Sequence, residues 1–95
     1  MFNPLKMNEM LQQASQMKDE MQHKLEQTVV EGSSGGGAVT ATMNGKKQLL
    51  KIRIDPSAVA ALSGPSPDVE MLEDLVVAAV NAAGQKAEDA MQSSL

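Results

Sequence analysis

The chain has 95 residues, twelve acidic and eight basic side chains, and a formal net charge of -4, which suits one small domain over residues 1–95. Cysteine is absent, so disulfides, thiolate zinc sites and cysteine nucleophiles are excluded. No apolar run approaches the roughly 20 residues that cross a bilayer, and residues 1–6 lack the apolar segment of a secretory signal. We therefore expect a cytoplasmic protein with no membrane segment.

The apolar residues predict a thin core. Phe2 is the single aromatic residue, so eight Met must do much of the filling with flexible side chains. A domain of this size also buries only about two-thirds of its unfolded surface. Pairing of two chains is the natural remedy, and we expect a homodimer.

Residues 4–28 show the periodicity of a long amphipathic helix. Asn3 is a suitable N-cap, and Pro4 suits the first helical position. A helix of this length measures about 36 Å, so it must project or pair. Its apolar residues, called the methionine stripe below, are Met7, Met10, Ala14, Met17, Met21, Leu25 and Thr28. We interpret the stripe as a core or dimer seam with coiled-coil spacing, and the alternative is an exposed surface for apolar segments of other proteins.

Residues 29–55 predict a three-stranded antiparallel meander. Val29 and Val30 begin the first strand, which we expect to end in the glycine-rich link of residues 32–37. Asn44-Gly45 predicts a two-residue type I′ turn between the next two strands, because both residues tolerate positive φ.

This turn fixes the pairing of the second and third strands. The expected partners are Met43 with Lys46, Ala41 with Gln48 and Val39 with Leu50. One face of the hairpin then carries Val39, Ala41, Met43, Leu50, Ile52 and Ile54. The other face carries Thr40, Thr42, Lys47, Leu49, Lys51 and Arg53.

The rest of the chain predicts a loop and a second long helix. Asp55-Pro56 ends the third strand, because proline cannot extend the ladder. We expect a loop over residues 56–67, where residues 57–62 suit a short helical turn, and a helix over residues 68–93 with an acidic first turn. Its apolar stripe comprises Leu72, Leu75, Val76, Ala79, Val80, Ala83, Ala87 and Met91. The fold class is therefore α+β.

Half of the positive charge of this acidic chain lies in the predicted hairpin. Lys46, Lys47, Lys51 and Arg53 fall within eight residues that contain no acid, so the hairpin carries +4 and the remainder about -8. Such an uneven distribution indicates an anionic partner, with phosphate contact as the mechanism. The alternative is that these side chains keep the hairpin soluble and protect a sheet edge from aggregation.

No residue pattern indicates an enzyme. His23 is the only histidine, and with scattered carboxylates it makes neither a metal site nor a general base. The triple glycine at residues 35–37 lacks the Lys and Ser or Thr of a phosphate-binding loop. We expect no catalytic residue, cofactor, metal or small-molecule substrate.

Four blocks stand in a specific order along most of the chain: Val30-Glu31-Gly32-Ser33 with Gly37, Met43-Asn44-Gly45, Ile52-Arg53-Ile54-Asp55-Pro56-Ser57, and Glu70-Met71-Leu72-Glu73-Asp74-Leu75-Val76 with Ala79 and Asn81. This order resembles the bacterial nucleoid-associated YbaB/EbfC family. The resemblance implies a tweezer-like cytoplasmic homodimer that binds double-stranded DNA with little sequence specificity, alters its conformation and contributes to nucleoid organisation and gene regulation.

The resemblance also directs attention to the helices, where basic positions of the family are implicated in DNA binding. Here these positions are Lys18, His23 and Lys24. Together with the hairpin cations, the candidate DNA-binding residues are Lys18, His23, Lys24, Lys46, Lys47, Lys51 and Arg53.

A second function remains open from the sequence. The acidic pI of about 4.8 also suits a protein-interaction or chaperone-like adaptor of the same fold with weak DNA affinity. For the DNA-binding hypothesis, strong base readout is not expected, because only Arg53 could make the favoured bidentate contact with guanine. The lack of aromatic residues also argues against single-strand binding by base stacking.

Overall fold

A computed structural model describes residues 3–94 of the chain. It contains the predicted α+β order of a long helix, a three-stranded antiparallel sheet and a second long helix. The elements are α1 (Pro4–Gln27), β1 (Val29–Ser34), β2 (Val39–Asn44), β3 (Leu49–Ile54), α2 (Pro56–Ala60) and α3 (Val69–Ser93). The predicted domain also includes Met1, Phe2 and Leu95, which lie outside the described residues.

Helix α1 begins at the predicted cap and projects from the rest of the molecule. The side-chain oxygen of Asn3 accepts hydrogen bonds from the backbone N–H groups of Leu5 at 3.1 Å and Lys6 at 3.4 Å. Pro4 follows at the first helical position, where its missing N–H costs nothing. Leu25 is the only buried residue of α1, and the molecule measures 77 × 18 × 17 Å. The expectation was that this helix projects or pairs, and in the single chain it projects.

The core lies between one face of the sheet and helix α3. The strand order is β1-β2-β3, so β2 is central, and its residues Val39 and Ala41 have no exposed surface. They pack with Met43 against three fully buried alanines of α3, which are Ala79, Ala83 and Ala87. The predicted core face of β2 is confirmed, and so is the predicted apolar stripe of α3 from Leu72 to Ala87.

Strand β1 passes through the glycine that was expected to end it. Gly32 is buried and pairs with Ala41, and β1 continues to Ser34 before the chain turns. A Cβ at Gly32 would lie 2.2 Å from the backbone nitrogen of Ala83 and 2.7 Å from the carbonyl oxygen of Ala79. Glycine stands inside this strand because the helix backbone approaches too closely for any side chain. The glycine-rich turn proper is residues 35–37, which all have positive φ.

The hairpin between β2 and β3 does not have the predicted type I′ turn. Among the described non-glycine residues only Lys47 has positive φ, at 65°, and Gly45 does not. The loop is longer, because the side-chain oxygen of Asn44 accepts the N–H groups of Lys46 at 2.9 Å and Gln48 at 3.0 Å. This geometry matches a three-residue loop that ends in a left-handed residue.

The reason for this loop is its contact with the end of α1. The backbone N–H of Gly45 donates to the carbonyl oxygens of Leu25 at 2.8 Å and Thr28 at 3.0 Å. A Cβ at Gly45 would lie 2.9 Å from the same Leu25 oxygen. Gly45 therefore allows the hairpin to lie close to the end of α1. This tertiary contact overrides the local preference of Asn-Gly for a two-residue turn.

The longer loop moves the strand pairing by four residues. Val39 faces Ile54 and Ala41 faces Ile52, in place of the predicted Leu50 and Gln48. Because the side-chain period of a strand is two, an even shift leaves the faces unchanged, and Ile52 and Ile54 still pack against the core.

Three residues near the turn depart from the predicted faces. Met43 pairs with Leu49 and not with Lys46, so Leu49 lies on the core side of the sheet and Leu50 is the unpaired residue of a bulge. Lys47 belongs to the loop, and its ammonium reaches helix α3, not the polar face of the sheet.

The predicted loop of residues 56–67 contains the short helix α2, close to the expected helical turn. The carboxylate of Asp55 caps it by accepting the N–H of Ser57 at 2.9 Å and its hydroxyl at 2.6 Å. Helix α3 begins with Asp68 as its N-cap, which accepts the N–H of Met71 at 3.0 Å. Both caps are acidic, as the helix dipole favours.

Replacement of Gly32 by alanine should force β1 and α3 apart, because a Cβ has no space there. We expect Gly32→Ala to lower the free energy of unfolding by about 3 kcal/mol or more. Gly84→Ala is the matched control, since nothing lies within 4 Å of a Cβ at that helical position. Because alanine has a higher helix propensity than glycine, this control should raise the free energy of unfolding by about 0.5–1 kcal/mol. Urea unfolding measures both values, and equal effects would contradict the packing argument.

Candidate nucleic-acid interface

The sheet face opposite α3 is polar and carries two rows of side chains that run across all three strands. We call it the open face. The first row is Glu31, Thr42 and Lys51, and the second row is Ser33, Thr40 and Arg53. Five of these residues line a shallow depression of about 70 Å³, namely Glu31, Thr40, Thr42, Lys51 and Arg53. Alternation along β2 and β3 predicted this grouping of threonines with Lys51 and Arg53, and the structure confirms it.

The two cations of the open face differ from the other two hairpin cations in their partners. Within residues 3–94, the ion pairs closer than 4 Å are formed by Lys46 and Lys47, and neither includes Lys51 or Arg53. Both Lys51 and Arg53 are exposed. Arg53 acts on the carboxylate of Asp55 through its charge without forming such an ion pair, so both cations can still meet an external anion.

The tip of the hairpin connects the sheet to both long helices. The Lys46 ammonium lies 3.0 Å from the carboxylate of Glu26 in α1, and the Lys47 ammonium lies 2.6 Å from the carboxylate of Glu88 in α3. Each pair has a net charge of zero. Sequence reasoning missed Glu26 and Glu88, because nothing local relates them to a turn that is about 20 or 40 residues away along the chain.

The carboxylate of Glu88 is held in its ionised form. The hydrogen bond and the charge of Lys47 lower the pKa of Glu88 below its ordinary value. Hydrogen bonds from the hydroxyl and N–H of Ser57 lower the pKa of Asp55 in the same direction. The Lys47–Glu88 pair is therefore intact at neutral pH.

The three candidate residues of α1 do not share one side of the helix. All three are exposed. At about 100° per residue, Lys18 and Lys24 flank the methionine stripe on its two sides, about 120° apart, while His23 lies on the face opposite the stripe. The His23 Nε2 atom is 3.1 Å from the side-chain nitrogen of Gln27. The seven predicted DNA-binding residues thus lie in three places. Lys18, His23 and Lys24 lie on α1, which we call the arm; Lys46 and Lys47 lie at the tip; and Lys51 and Arg53 lie on the open face.

Other kinds of site find little support in the part of the chain that the structure describes. No group of three or more His, Asp or Glu side chains within residues 3–94 is placed to hold a metal ion. None of the helices within that range combines the length and the apolarity needed to cross a membrane.

Comparison with known proteins identifies the family. The sequence profile of the YbaB/EbfC DNA-binding family matches residues 2–95. A nucleoid-associated protein of Acidobacterium capsulatum is 62% identical over 94 residues, which cover 99% of this chain and 87% of that protein. A nucleoid-associated protein of Koribacter versatilis is 53% identical over 89 residues, which cover 94% and 83%.

The fold is also that of a solved structure. The crystal structure of an uncharacterized protein from Helicobacter pylori superposes with a TM-score of 0.79 at 20% identity and covers 98% of this chain and 92% of that chain. Fold and relatives together define a nucleoid-associated protein. The chain belongs to the YbaB/EbfC DNA-binding family, which is not an enzyme family.

The Lys47–Glu88 pair should make stability depend on acidic pH. Because the pKa of Glu88 is lower in the folded state, its contribution is present above the unfolded pKa and is lost as pH falls through the folded value. We expect the free energy of unfolding to fall more steeply between about pH 5 and pH 3 in the unmodified protein than in Glu88→Gln. Urea unfolding at several pH values measures this, with Glu73→Gln as control. Parallel curves for the unmodified protein and Glu88→Gln would contradict the assignment.

Proposed function

We propose that this protein binds duplex DNA with little sequence specificity, alters its conformation and contributes to nucleoid organisation and gene regulation. The observation that carries the proposal is membership of the YbaB/EbfC DNA-binding family over residues 2–95. The names of its relatives support a location at the nucleoid in the cytoplasm. Phosphate contacts by Lys and Arg supply binding of this kind, because they release counterions without reading the bases.

The candidates for DNA contact are the seven exposed cationic or ionisable residues of the arm, tip and open face: Lys18, His23, Lys24, Lys46, Lys47, Lys51 and Arg53. Within the hairpin, the ion pairs of Lys46 and Lys47 favour Lys51 and Arg53 as the contacts. Arg53 is the single arginine of the chain. Since bidentate arginine contacts with guanine are the commonest specific contact, one arginine per subunit supports recognition of the backbone over recognition of sequence.

We further propose that the active form is a homodimer in which two methionine stripes cover one another. The stripe is largely uncovered in the single chain, where Met10 is 65% exposed and Met17 is 69% exposed. A projecting helix that exposes so much apolar surface gains stability mainly by packing against a partner. Paired arms extending from two sheets would give the tweezer-like outline and would alter the path of a bound duplex.

A protein-interaction adaptor is the second candidate function. The same exposed methionine stripe favours it, because flexible Met side chains adapt to varied apolar partners. Crosslinking in cells separates the two functions. A nucleoid component is recovered with DNA, whereas an adaptor is recovered with particular proteins.

Binding to DNA should be measurable directly and should weaken with salt. In a gel-shift titration of a duplex at about 50 mM salt, we expect dissociation constants in the micromolar range, with a fall in affinity of at least about tenfold by 200 mM. Duplexes of unrelated sequence should differ by less than about threefold. If a folded dimer does not bind at about 50 mM salt, the proposed function is wrong.

Charges placed on the methionine stripe should disrupt the dimer. We expect the double variant Met10→Lys with Met17→Lys to sediment as a monomer, because two ammonium groups per chain would be buried in the seam. Gln12→Lys with Gln16→Lys adds the same charge to the opposite face of α1 and should leave the dimer intact. Sedimentation velocity distinguishes these results, and loss of the dimer in the control instead would place the seam elsewhere.

A further inference from the structure

The open face and the tip offer an anion very different electrostatic surroundings. The charged residues that line the depression of the open face, Lys51, Arg53 and Glu31, have a net charge of +1. Asp55, whose carboxylate interacts with the charge of Arg53, follows β3 outside the depression. At the tip, each lysine is paired with a glutamate, and the net charge is zero. Because the Debye length is about 8 Å at physiological salt, charges beyond that range are largely screened, and a phosphate in the depression meets its two cations more strongly than the distant carboxylates of the chain.

The open face also has the hydrogen-bonding groups that a phosphate needs. Thr42 is the cross-strand partner of Lys51, and Thr40 is the cross-strand partner of Arg53. Cross-strand side chains on one face start about 5 Å apart, so each cation has a hydroxyl beside it. Hydroxyl and cationic side chains are the groups that commonly contact DNA phosphates.

The spacing of the two cation–hydroxyl pairs suits consecutive phosphates of one strand. Lys51 and Arg53 are two residues apart on the same side of β3, which separates them by about 7 Å. Because a DNA strand also turns around the axis, consecutive phosphates that rise only about 3.4 Å along it lie roughly 7 Å apart in space. Thr40 is only 9% exposed and forms the floor of the depression, so the contact lies between the longer side chains that flank it.

We infer that the hairpin contacts DNA through its open face, where Thr40, Thr42, Lys51 and Arg53 hold the sugar–phosphate backbone, and not through its lysine tip. This inference rests on the proposed function, and it limits the DNA contacts of the hairpin to the open face. Lys46 and Lys47 have a structural role, because their ion pairs join the hairpin to α1 and α3.

The two rows of the open face are not equivalent. The row of Ser33, Thr40 and Arg53 contains only hydrogen-bond donors toward a phosphate. The row of Glu31, Thr42 and Lys51 ends in a carboxylate, which repels a phosphate and cannot donate when ionised. Arg53 therefore holds the principal phosphate, and Glu31 limits the affinity of the face.

A pair of charge-matched double variants tests which surface contacts DNA. Lys51→Gln with Arg53→Gln should weaken duplex binding at least about tenfold and reduce the slope of log K against log salt by about 1.8 per subunit, which is two counterions. Lys46→Gln with Lys47→Gln removes the same charge, and its affinity should change less than about threefold. The inference is overturned if the first variant binds like the unmodified protein or if the second loses as much affinity.

A further double variant keeps the test decisive if loss of the tip lysines unfolds the protein. Glu26→Gln with Glu88→Gln retains all four hairpin cations and frees the tip lysines from their carboxylates. At about 150 mM salt we expect affinity within about twofold of the unmodified protein, because the freed lysines lie outside the contact surface. A gain of fivefold or more would make the tip a contact surface and overturn the inference.

Removal of the carboxylate of the open face should change the DNA affinity in the opposite direction. Glu31→Gln should strengthen binding several-fold, whereas Glu73→Gln, which removes a charge on α3, should leave it unchanged. Equal effects of these two substitutions would overturn the role of the open face. The proposed function has a separate test, because it requires that the unmodified folded protein bind duplex DNA. If the unmodified protein binds but no open-face variant changes the affinity, this inference is wrong and the proposed function stands.

Discussion

The structure depends on the close approach of two backbones where β1 lies against α3. Gly32 has no Cβ, and the chain of α3 at Ala79 and Ala83 occupies the space that a Cβ would need. This approach explains how a chain with almost no aromatic residues forms a core, because alanines and glycine fill a narrow gap that large side chains would hold open. The hydroxyl of Ser34 donates to the Leu75 carbonyl oxygen at 2.5 Å and extends the same contact.

A second close approach connects the projecting helix to this core. The N–H of Gly45 donates to carbonyl oxygens at the end of α1, and Leu25 is buried against the turn. The ion pairs of Lys46 and Lys47 reinforce the junction on its two sides. The turn thus joins the arm, the sheet and α3, and its lysines are used within the molecule. An exposed ion pair contributes little stability alone, so their main effect is on geometry and on local charge.

These contacts determine which surfaces remain for partners. Helix α3 covers one face of the sheet, so Lys51 and Arg53 remain on the other face with two threonines. Helix α1 extends away from the sheet and leaves the methionine stripe uncovered. An acidic protein can engage an anionic polymer in this arrangement, because screening limits the repulsion from distant carboxylates and leaves nearby cations to act.

The sequence by itself determined the elements, because caps, proline stops and apolar periodicity are local signals. They located α1 with its Asn3 cap, α3 with its buried alanines, and the division of β2 and β3 into an apolar and a polar face. Only the tertiary structure decided the turn at Gly45, the continuation of β1 through Gly32 and the partners of Lys46 and Lys47. Each of these depends on a backbone or carboxylate far away in the chain, which no local pattern encodes. A cluster of four cations is visible in the sequence, but within residues 3–94 its separation into two cations that form ion pairs and two that form none arises only when the helices pack around the hairpin.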